Sequence, residues 1–344
     1  MTDDARLIAD SAIEFAKGSG GLARARTVRD NSPQFDQRVW QQIAELGWLS
    51  ILVPERLDGL GLGVQAMCAL LESVGRTLLP EPLVSAIAAG GFLVECGSAE
   101  TADLLAELTA GRRLVLAAPV PSSAAFPLRL SHVPDCYDGA TILVAHGDGR
   151  SFEVRVIEIG MPGTAVETAE CVDGSLLSEL VIGEPGWSGA HCVALGTDAR
   201  AAWEKTRDVM QLGYSAFLVG LMDASLEIAI DYMQIRKQFG TAIGTFQALQ
   251  HRAASAHVDI VSSRALLYEA CTAFATGSRA RAACAAKARA SAAALRVTKE
   301  CIQFHGAIGF ADEHDIGLYL RKAMTIAARQ GGEMQQKLRY SQLT

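Results

Sequence analysis

Arg236-Lys-Gln-Phe-Gly-Thr-Ala-Ile-Gly-Thr-Phe-Gln-Ala-Leu-Gln-His251 is the stretch on which the reading of the fold turns. It closes a long run of helical composition with two cations, and Phe239 followed by Gly240 is expected to end that helix, because glycine enters the left-handed backbone at little cost. Arg236 offers a fixed guanidinium fork for a dinucleotide pyrophosphate, and Phe239 offers a flat apolar face for a ring. A second stretch, Gln303-Phe-His-Gly-Ala-Ile-Gly-Phe310, combines an amide that both donates and accepts with two glycines, Gly306 and Gly309, that let backbone approach a ligand. Each stretch alone has an ordinary structural meaning. Cations at a helix C-terminus answer the macrodipole, and Gly-x-x-Gly between helices is commonly a turn.

Around these stretches, from Asp198 to the end, Gly and Pro nearly vanish and Ala, Leu, Arg, Glu and Gln dominate, including the run from Ala282 to Leu295. That composition predicts long helices in an antiparallel four-helix bundle over 198–344. Residues 113–197 hold short β-branched runs, Ala140-Thr-Ile-Leu-Val-Ala145 and Phe152-Glu-Val-Arg-Val-Ile157, which predict a small middle β domain. Over 1–112 the chain reads as helical. Phe35, Val39, Ile43 and Leu46 recur at helical spacing and predict an amphipathic helix ended by Gly47, and Val64 to Leu79 resumes the pattern. Between them, Gly59-Leu-Gly61-Leu-Gly63 lacks the further glycine of a dinucleotide fingerprint and reads as a turn. The expected class is α+β, mainly α, in three parts.

Composition narrows the function. The 344 residues, half of them apolar, carry 31 Lys+Arg against 38 Asp+Glu, and a net charge of −7 argues against a nucleic-acid binder. The longest apolar stretch, Leu83 to Val94, is shorter than the roughly 20 residues a membrane helix needs, so no membrane partner is expected. The acidic start has no basic n-region, and a cytoplasmic location is expected. Eight cysteines without a CxxC pair read as buried free thiols, and seven histidines without HExxH or an i, i+4 pair predict no metal. Trp40, Trp48, Trp187 and Trp203 read as core anchors, and Glu313-His314-Asp315 as the cap of the last long helix.

Together the two stretches make the chain resemble the acyl-CoA dehydrogenase family. The first matches the family's R-x-x-F-G-x-x-I-x-x-F-Q-x-x-Q-H pattern almost completely, and the second matches Q-x-x-G-G-x-G-F with Ala307 in place of the second glycine. Leu46-Gly-Trp-Leu, Val53-Pro-Glu and Gly59-Leu-Gly61 look like the family's first-domain loop. The resemblance implies the acyl-CoA dehydrogenase fold, with FAD bound at the junction of neighbouring subunits. Arg236, Gln238, Phe239, Ile243 and Gln247 would grip the flavin nucleotide. Gln303, Phe304, His305, Gly306 and Ala307 would complete the site from across the interface.

The implied reaction removes a proton alpha to an acyl-CoA thioester and a hydride from the beta carbon, and so needs an ionised carboxylate. The family's commonest position for that Glu, counted forward from Arg321, falls on Gln330, followed by Gly331. An amide has no basic lone pair near neutral pH. The alternative family position falls near Met210, and the nearest carboxylates, Glu204, Asp208 and Glu333, read as surface helix charges displaced from the required register. The family's T-E-P-x-A-G-S-D loop is also missing, since the chain reads Val120-Pro-Ser-Ser-Ala-Ala-Phe there, and the middle domain looks shortened. Such losses resemble the base-lacking subunit of α2β2 heterotetramers that dehydrogenate CoA thioesters of steroid side chains in actinobacteria. The resemblance therefore implies a second acyl-CoA dehydrogenase-like subunit that supplies the base. A homotetramer with a relocated base and a non-catalytic scaffold are the alternatives.

Overall fold

The computed structural model describes residues 3–30, 35–118, 125–137 and 139–343. Helices α1 (Asp3–Gly18), α2 (Gly21–Asp30), α3 (Gln37–Glu45), α4 (Gly63–Arg76), α5 (Leu83–Cys96) and α6 (Ala99–Thr109) come first. Strands β1 (Val115–Ala117), β2 (Leu128–Pro134), β3 (Thr141–His146), β4 (Glu153–Glu158), β5 (Thr164–Glu170) and β6 (Leu176–Ile182) follow, then α7 (Glu184–Gly189) and β7 (His191–Leu195). The chain closes with α8 (Gly196–Ile235), the short strands β8 (Lys237–Gln238) and β9 (Thr241–Ala242), α9 (Gln247–Ala273), α10 (Arg279–His305), α11 (Ile316–Ala328) and α12 (Glu333–Gln342). The class is α+β, mainly α. Two compact units result, one made of Met1–Thr27, Cys68–Leu79 and Gln211–Thr344, the other of Val28–Met67 and Pro80–Met210.

In the second of these units, Asp36 caps α3 by accepting from the N–H groups of Arg38 (3.0 Å) and Val39 (3.2 Å). The helix starts at Gln37 and buries Trp40, Ile43 and Ala44; of the expected row Ile43 is buried and Val39 half-buried, while Phe35 and Leu46 fall outside the helix. Phe35 lies outside the helix against Trp40, and Leu46 is exposed just before Gly47 turns the chain at φ 74°. The glycine run after Pro54 is a turn folded onto its own neighbours. Leu60, Gly61 and Leu62 donate to the carbonyls of Ser50, Val53 and Ile51, and a Cβ on Gly59 would stand 2.1 Å from the Val53 carbonyl oxygen.

The strands form two sheets, β1-β3-β4-β7 and β2-β6-β5. All pairings are antiparallel except β1 with β3. Leu128, Leu130, Ile142, Val144, Val154, Ile157, Leu180 and Ile182 fill the interior of this region. The expected loop at 120–126 falls largely on 119–124, outside the described residues.

In the other unit α4 and α8 cross backbone against backbone. A Cβ on Gly220 would lie 1.8 Å from the Glu72 carbonyl oxygen, and one on Gly75 2.3 Å from that of Phe217, so glycine is required at both. Around the crossing Arg76 pairs with Asp223 (2.7 Å) and Arg264 with Glu72 (2.7 Å). Alanines 283, 286, 290, 293 and 294 are buried on α10 and let α9, α11 and α12 pack closely on it. Helix α8 is long and apolar enough to cross a membrane, but 78% of its apolar window is buried inside the protein, as in a core helix. All four Trp are buried and all eight cysteines are free thiols, three of them half-buried.

Candidate functional site

The first sequence stretch folds as a hairpin. Helix α8 ends at Ile235, earlier than Phe239-Gly240 suggested, and Lys237 and Gln238 pair antiparallel with Ala242 and Thr241. Phe239 (φ 52°) and Gly240 (φ 83°) occupy the two-residue turn, whose pair of positive φ values is the hairpin geometry that follows strand twist. The left-handed backbone at Phe239 holds its ring outward. It is 92% exposed and meets Phe246 edge to face at 6.2 Å.

Within this stretch Gln250 and Thr245 donate to the carbonyls of Gly244 and Ala242, while the donors singled out for a ligand are unengaged. Arg236, Lys237, Gln238 and Gln247 are exposed, and their side chains make no hydrogen bond or ion pair among the described residues. No carboxylate occurs between 236 and 247, and α9 begins at Gln247 with no acidic residue in its first turn. A guanidinium, an ammonium, amides and an uncapped helix N-terminus beside a bare aromatic ring form a donor set suited to an anionic dinucleotide with a flat ring system. The residues present therefore fit FAD. Ile243, half-buried, begins the short helical turn between β9 and α9.

The second stretch ends α10. Gln303, Ala307, Ile308 and Phe310 are exposed, while Phe304 and His305 turn inward. The Arg252 guanidinium lies over the Phe304 ring at 5.5 Å. Gly306 adopts φ 65° and ψ −138°, a backbone reserved for glycine, and a Cβ there would meet nothing within 4 Å, so its backbone is open to a ligand. Gln303, Gly306 and Ala307 are thus presented outward, and Phe304 and His305 support them from within.

The roots of the two stretches meet in this one chain. The ring of Tyr232, a residue whose carbonyl accepts from the Arg236 N–H, stacks on His305 at 4.5 Å, and His314 meets His305 edge to face at 4.5 Å and Tyr232 at 6.5 Å. His305 Nδ1 lies 2.6 Å from the Cys301 carbonyl, which can only accept, so Nδ1 carries the proton and Nε2, buried without a partner, is an acceptor. Burial holds the imidazole pKa below its ordinary value, and His314 adds to the shift. His314 also caps α11, its Nδ1 accepting from the Ile316 N–H, while Asp315 pairs with Arg26 (2.7 Å) and leaves the cap to His314. The capping by His314 is as expected of Glu313-His314-Asp315, whereas Tyr232 and the ring contact of His314 with His305 were not legible from residue type.

The expected base position is a closed turn. Gln330 (φ 57°) and Gly331 (φ 92°) connect α11 to α12. Gln336 Nε2 donates to the Gln330 carbonyl and, at 3.3 Å, to that of Gly331, and Gln211 Nε2 donates to Gln336 Oε1 at 2.8 Å. From α10 the wholly buried Lys287 points its ammonium at the Ala327 carbonyl (2.9 Å), Ser291 Oγ (2.8 Å) and the Gly331 carbonyl (3.4 Å). Burial pulls its pKa down to about 7. One lysine in a run of alanines is the sequence signal that could have drawn attention to it.

Of the displaced carboxylates, Glu333 is exposed and paired with Lys337 (2.6 Å), and Glu204 pairs with Arg207. Asp208 departs from the expected surface charge. It is wholly buried, because α8 is covered on nearly every side from Asp208 onward. Met210, at the alternative base position, is likewise buried.

Comparison with known proteins accounts for this arrangement. The acyl-CoA dehydrogenase N-terminal domain profile matches residues 2–112, and the acyl-CoA dehydrogenase C-terminal domain profile matches residues 202–338. Acyl-CoA dehydrogenase IpdE2 of Mycolicibacterium smegmatis is 27% identical, covering 94% of this chain and 93% of its own length. Acyl-CoA dehydrogenase FadE27 of Mycobacterium tuberculosis is 27% identical over 87% of this chain and 86% of its own. Among solved structures, a Tcur3481-Tcur3483 steroid ACAD variant superposes with a TM-score of 0.88 at 28% identity, covering 99% of this chain and 97% of that one. The ChsE4-ChsE5 complex from Mycobacterium tuberculosis shares the fold, with a TM-score of 0.87 at 23% identity over 99% and 97% of the two chains.

Proposed function

We infer the function of this chain from one premise, that it belongs to the acyl-CoA dehydrogenase family. Members are oxidoreductases that act on the CH–CH bond of an acyl-CoA, and their cofactor is FAD. We propose that the chain is a subunit of a heteromeric dehydrogenase, α2β2 in form, whose partner, a second chain of the same family, supplies the base. The substrate class we propose is the CoA thioester of a steroid side chain. The likeness to the steroid ACAD complex supports both points.

The single observation that carries this reading is an amide, Gln330, at the turn where the reaction requires a carboxylate. Lys287 and Gln336 hold the backbone of this turn, and the side chain it carries cannot take the alpha proton. The gripping residues, by contrast, are intact. Arg236 and Lys237 would neutralise the pyrophosphate, Phe239 would lie against a ring, and the open backbone at Gly306 would approach the nucleotide, with Gln303 at its edge. When bound, FAD supplies a hydride acceptor for the beta carbon. This chain holds and orients that group, and moves no proton of its own.

The test is to purify the chain alone and with its partner, count flavin per chain, and assay oxidation of a steroid side-chain CoA thioester. Flavin and turnover are expected only in the heteromer. Stoichiometric FAD and acyl-CoA oxidation by the chain alone would overturn the reading. One observation favours a second reading, a homomeric enzyme with a relocated base: Asp208 is a wholly buried carboxylate on α8. There, Asp208→Asn would abolish turnover and keep the flavin.

A further inference from the structure

Lys287 is the buried charged group that the flavin-gripping chemistry leaves unused. It lies on α10 in a row of Ala, Cys and Ser, is 0% exposed, and has no carboxylate within ion-pair distance among the described residues. Its acceptors are Ser291 Oγ (2.8 Å) and three carbonyls, of Ala327 (2.9 Å), Gly331 (3.4 Å) and Ile326 (3.5 Å). Ile326 and Ala327 belong to the last turn of α11, where helix geometry leaves carbonyls without internal partners and the dipole favours a cation. Gly331 lies beyond the helix, inside the turn that follows. One ammonium therefore ties the end of α11 to the far side of its own turn.

The turn needs such a tie. Gln330 is a non-glycine residue in the left-handed region, a conformation that persists only where its surroundings fix it. The second brace comes from the opposite direction, through Gln336, which Gln211 orients and on which Arg339 closes by donating to Gln211 Oε1 at 2.9 Å. The Gly331 carbonyl accepts from both braces. An apolar residue at 287 would suit the packing of α10 and avoid the desolvation of a charge. A lysine there answers the carbonyls of the turn.

We propose that Lys287 is a positioning residue, acting through the Gln330–Gly331 turn to fix the backbone of the position where this family presents its base. The proposal rests on the family reading of position 330. It adds that the conformation of the turn is set from beneath and does not depend on which side chain stands at 330.

The experiment is amide hydrogen exchange on the full chain. In Lys287→Met, which keeps the stem and loses the donors, exchange across 330–334 is expected to rise at least about tenfold while α9 and the β sheets keep their protection. Lys287→Arg, which restores charge and donors, is expected to stay within about twofold of the parent protein. Unchanged exchange at the turn in Lys287→Met, or a rise spread evenly over the whole chain, would overturn the proposal. If Lys287→Met does not fold, Lys287→Gln takes its place, since a shorter neutral donor falls short of Gly331. The same local loosening is then expected, and its absence has the same meaning. Gln330→Ala reads the underlying assignment separately. A large loss of heteromer turnover with undisturbed exchange at the turn would remove the view of a base-less position and leave the role of Lys287 standing.

Discussion

The hairpin 236–246 and the turn 329–332 are both short connections between helices, yet the chain treats them in opposite ways. The hairpin shows water an aromatic ring, two cations and an unpaired amide, and none of these polar side chains is paired among the described residues. The turn sends its carbonyls inward to a lysine and a glutamine. Solvated donors beside a bare ring are free to turn to a ligand, whereas a satisfied turn has no group left to offer one. The contrast separates holding a cofactor, for which the chain is equipped, from taking a proton, for which it is not.

The largest expected effect comes from removing the open side of this contrast. Arg236→Ala combined with Phe239→Ala deletes the guanidinium fork and the ring, and is expected to weaken flavin binding in the heteromer by about a hundredfold, the worth of a charge-assisted contact plus a stacked face. Flavin absorbance per chain after gel filtration measures it. Both side chains are exposed, so the thermal midpoint of the flavin-free protein should not move. Retained flavin would mean that the hairpin is an interface for something else.

Next is the closed side, read through pH. Lys287 has a folded pKa of about 7 against an ordinary 10.5. Between these values the unfolded chain binds a proton that the folded chain does not, so this group makes stability rise as pH increases from about 7 towards 10.5. Relative to Lys287→Met, the parent protein should gain at least about 1.4 kcal/mol across that window, the equivalent of one pKa unit of the shift. Denaturant unfolding at a series of pH values measures the slope. An identical slope in the variant would show that the ammonium keeps its ordinary affinity for the proton.

His305, at the root shared by the two flavin-like stretches, gives a smaller effect of the same sign. Its pKa is lowered, chiefly by burial, so below about 6.5 the unfolded chain takes up a proton before the folded one and stability falls as pH drops through that range. His305→Gln is expected to flatten this acid limb. The same denaturation series, extended to lower pH, reads it.

The sequence carried the fold class because helical composition over 198–344 and β-branched runs in the middle are local signals, and local signals survive in the structure. It misjudged details that depend on capping and on the third dimension. Asp36 shifted the start of α3 and moved Leu46 off the buried face, and two positive φ values turned an expected helix end at Phe239 into a hairpin. Of the site, residue types and spacing pointed to exposed donors such as Arg236 and Gln303, because an exposed ligand-facing side chain announces itself by chemistry. Lys287 stood out only as one lysine in a run of alanines, and Gln336, Gln211 and Tyr232 were silent. Their partners are backbone carbonyls, rings and distant side chains brought together only by packing, and a carbonyl has no letter in a sequence. Asp208 illustrates the reverse error, since a charge on a long helix reads as solvated until the covering of α8 is seen.

The smallest expected effect discriminates best. If the turn is a closed structural element, its side chain is dispensable to the chemistry, and Gln330→Ala should leave turnover of the heteromer within about twofold. Gln330→Glu should do the same, because placing a carboxylate on this turn leaves the partner's base where it was. The Gln330 carbonyl that Gln336 holds is a backbone group and is unaltered in both variants, so neither should loosen the turn. A loss of more than about tenfold in kcat with unchanged KM in Gln330→Ala would mean that the amide acts in the transition state. The turn would then belong with the hairpin as working machinery, and the division between holding and proton transfer would fall.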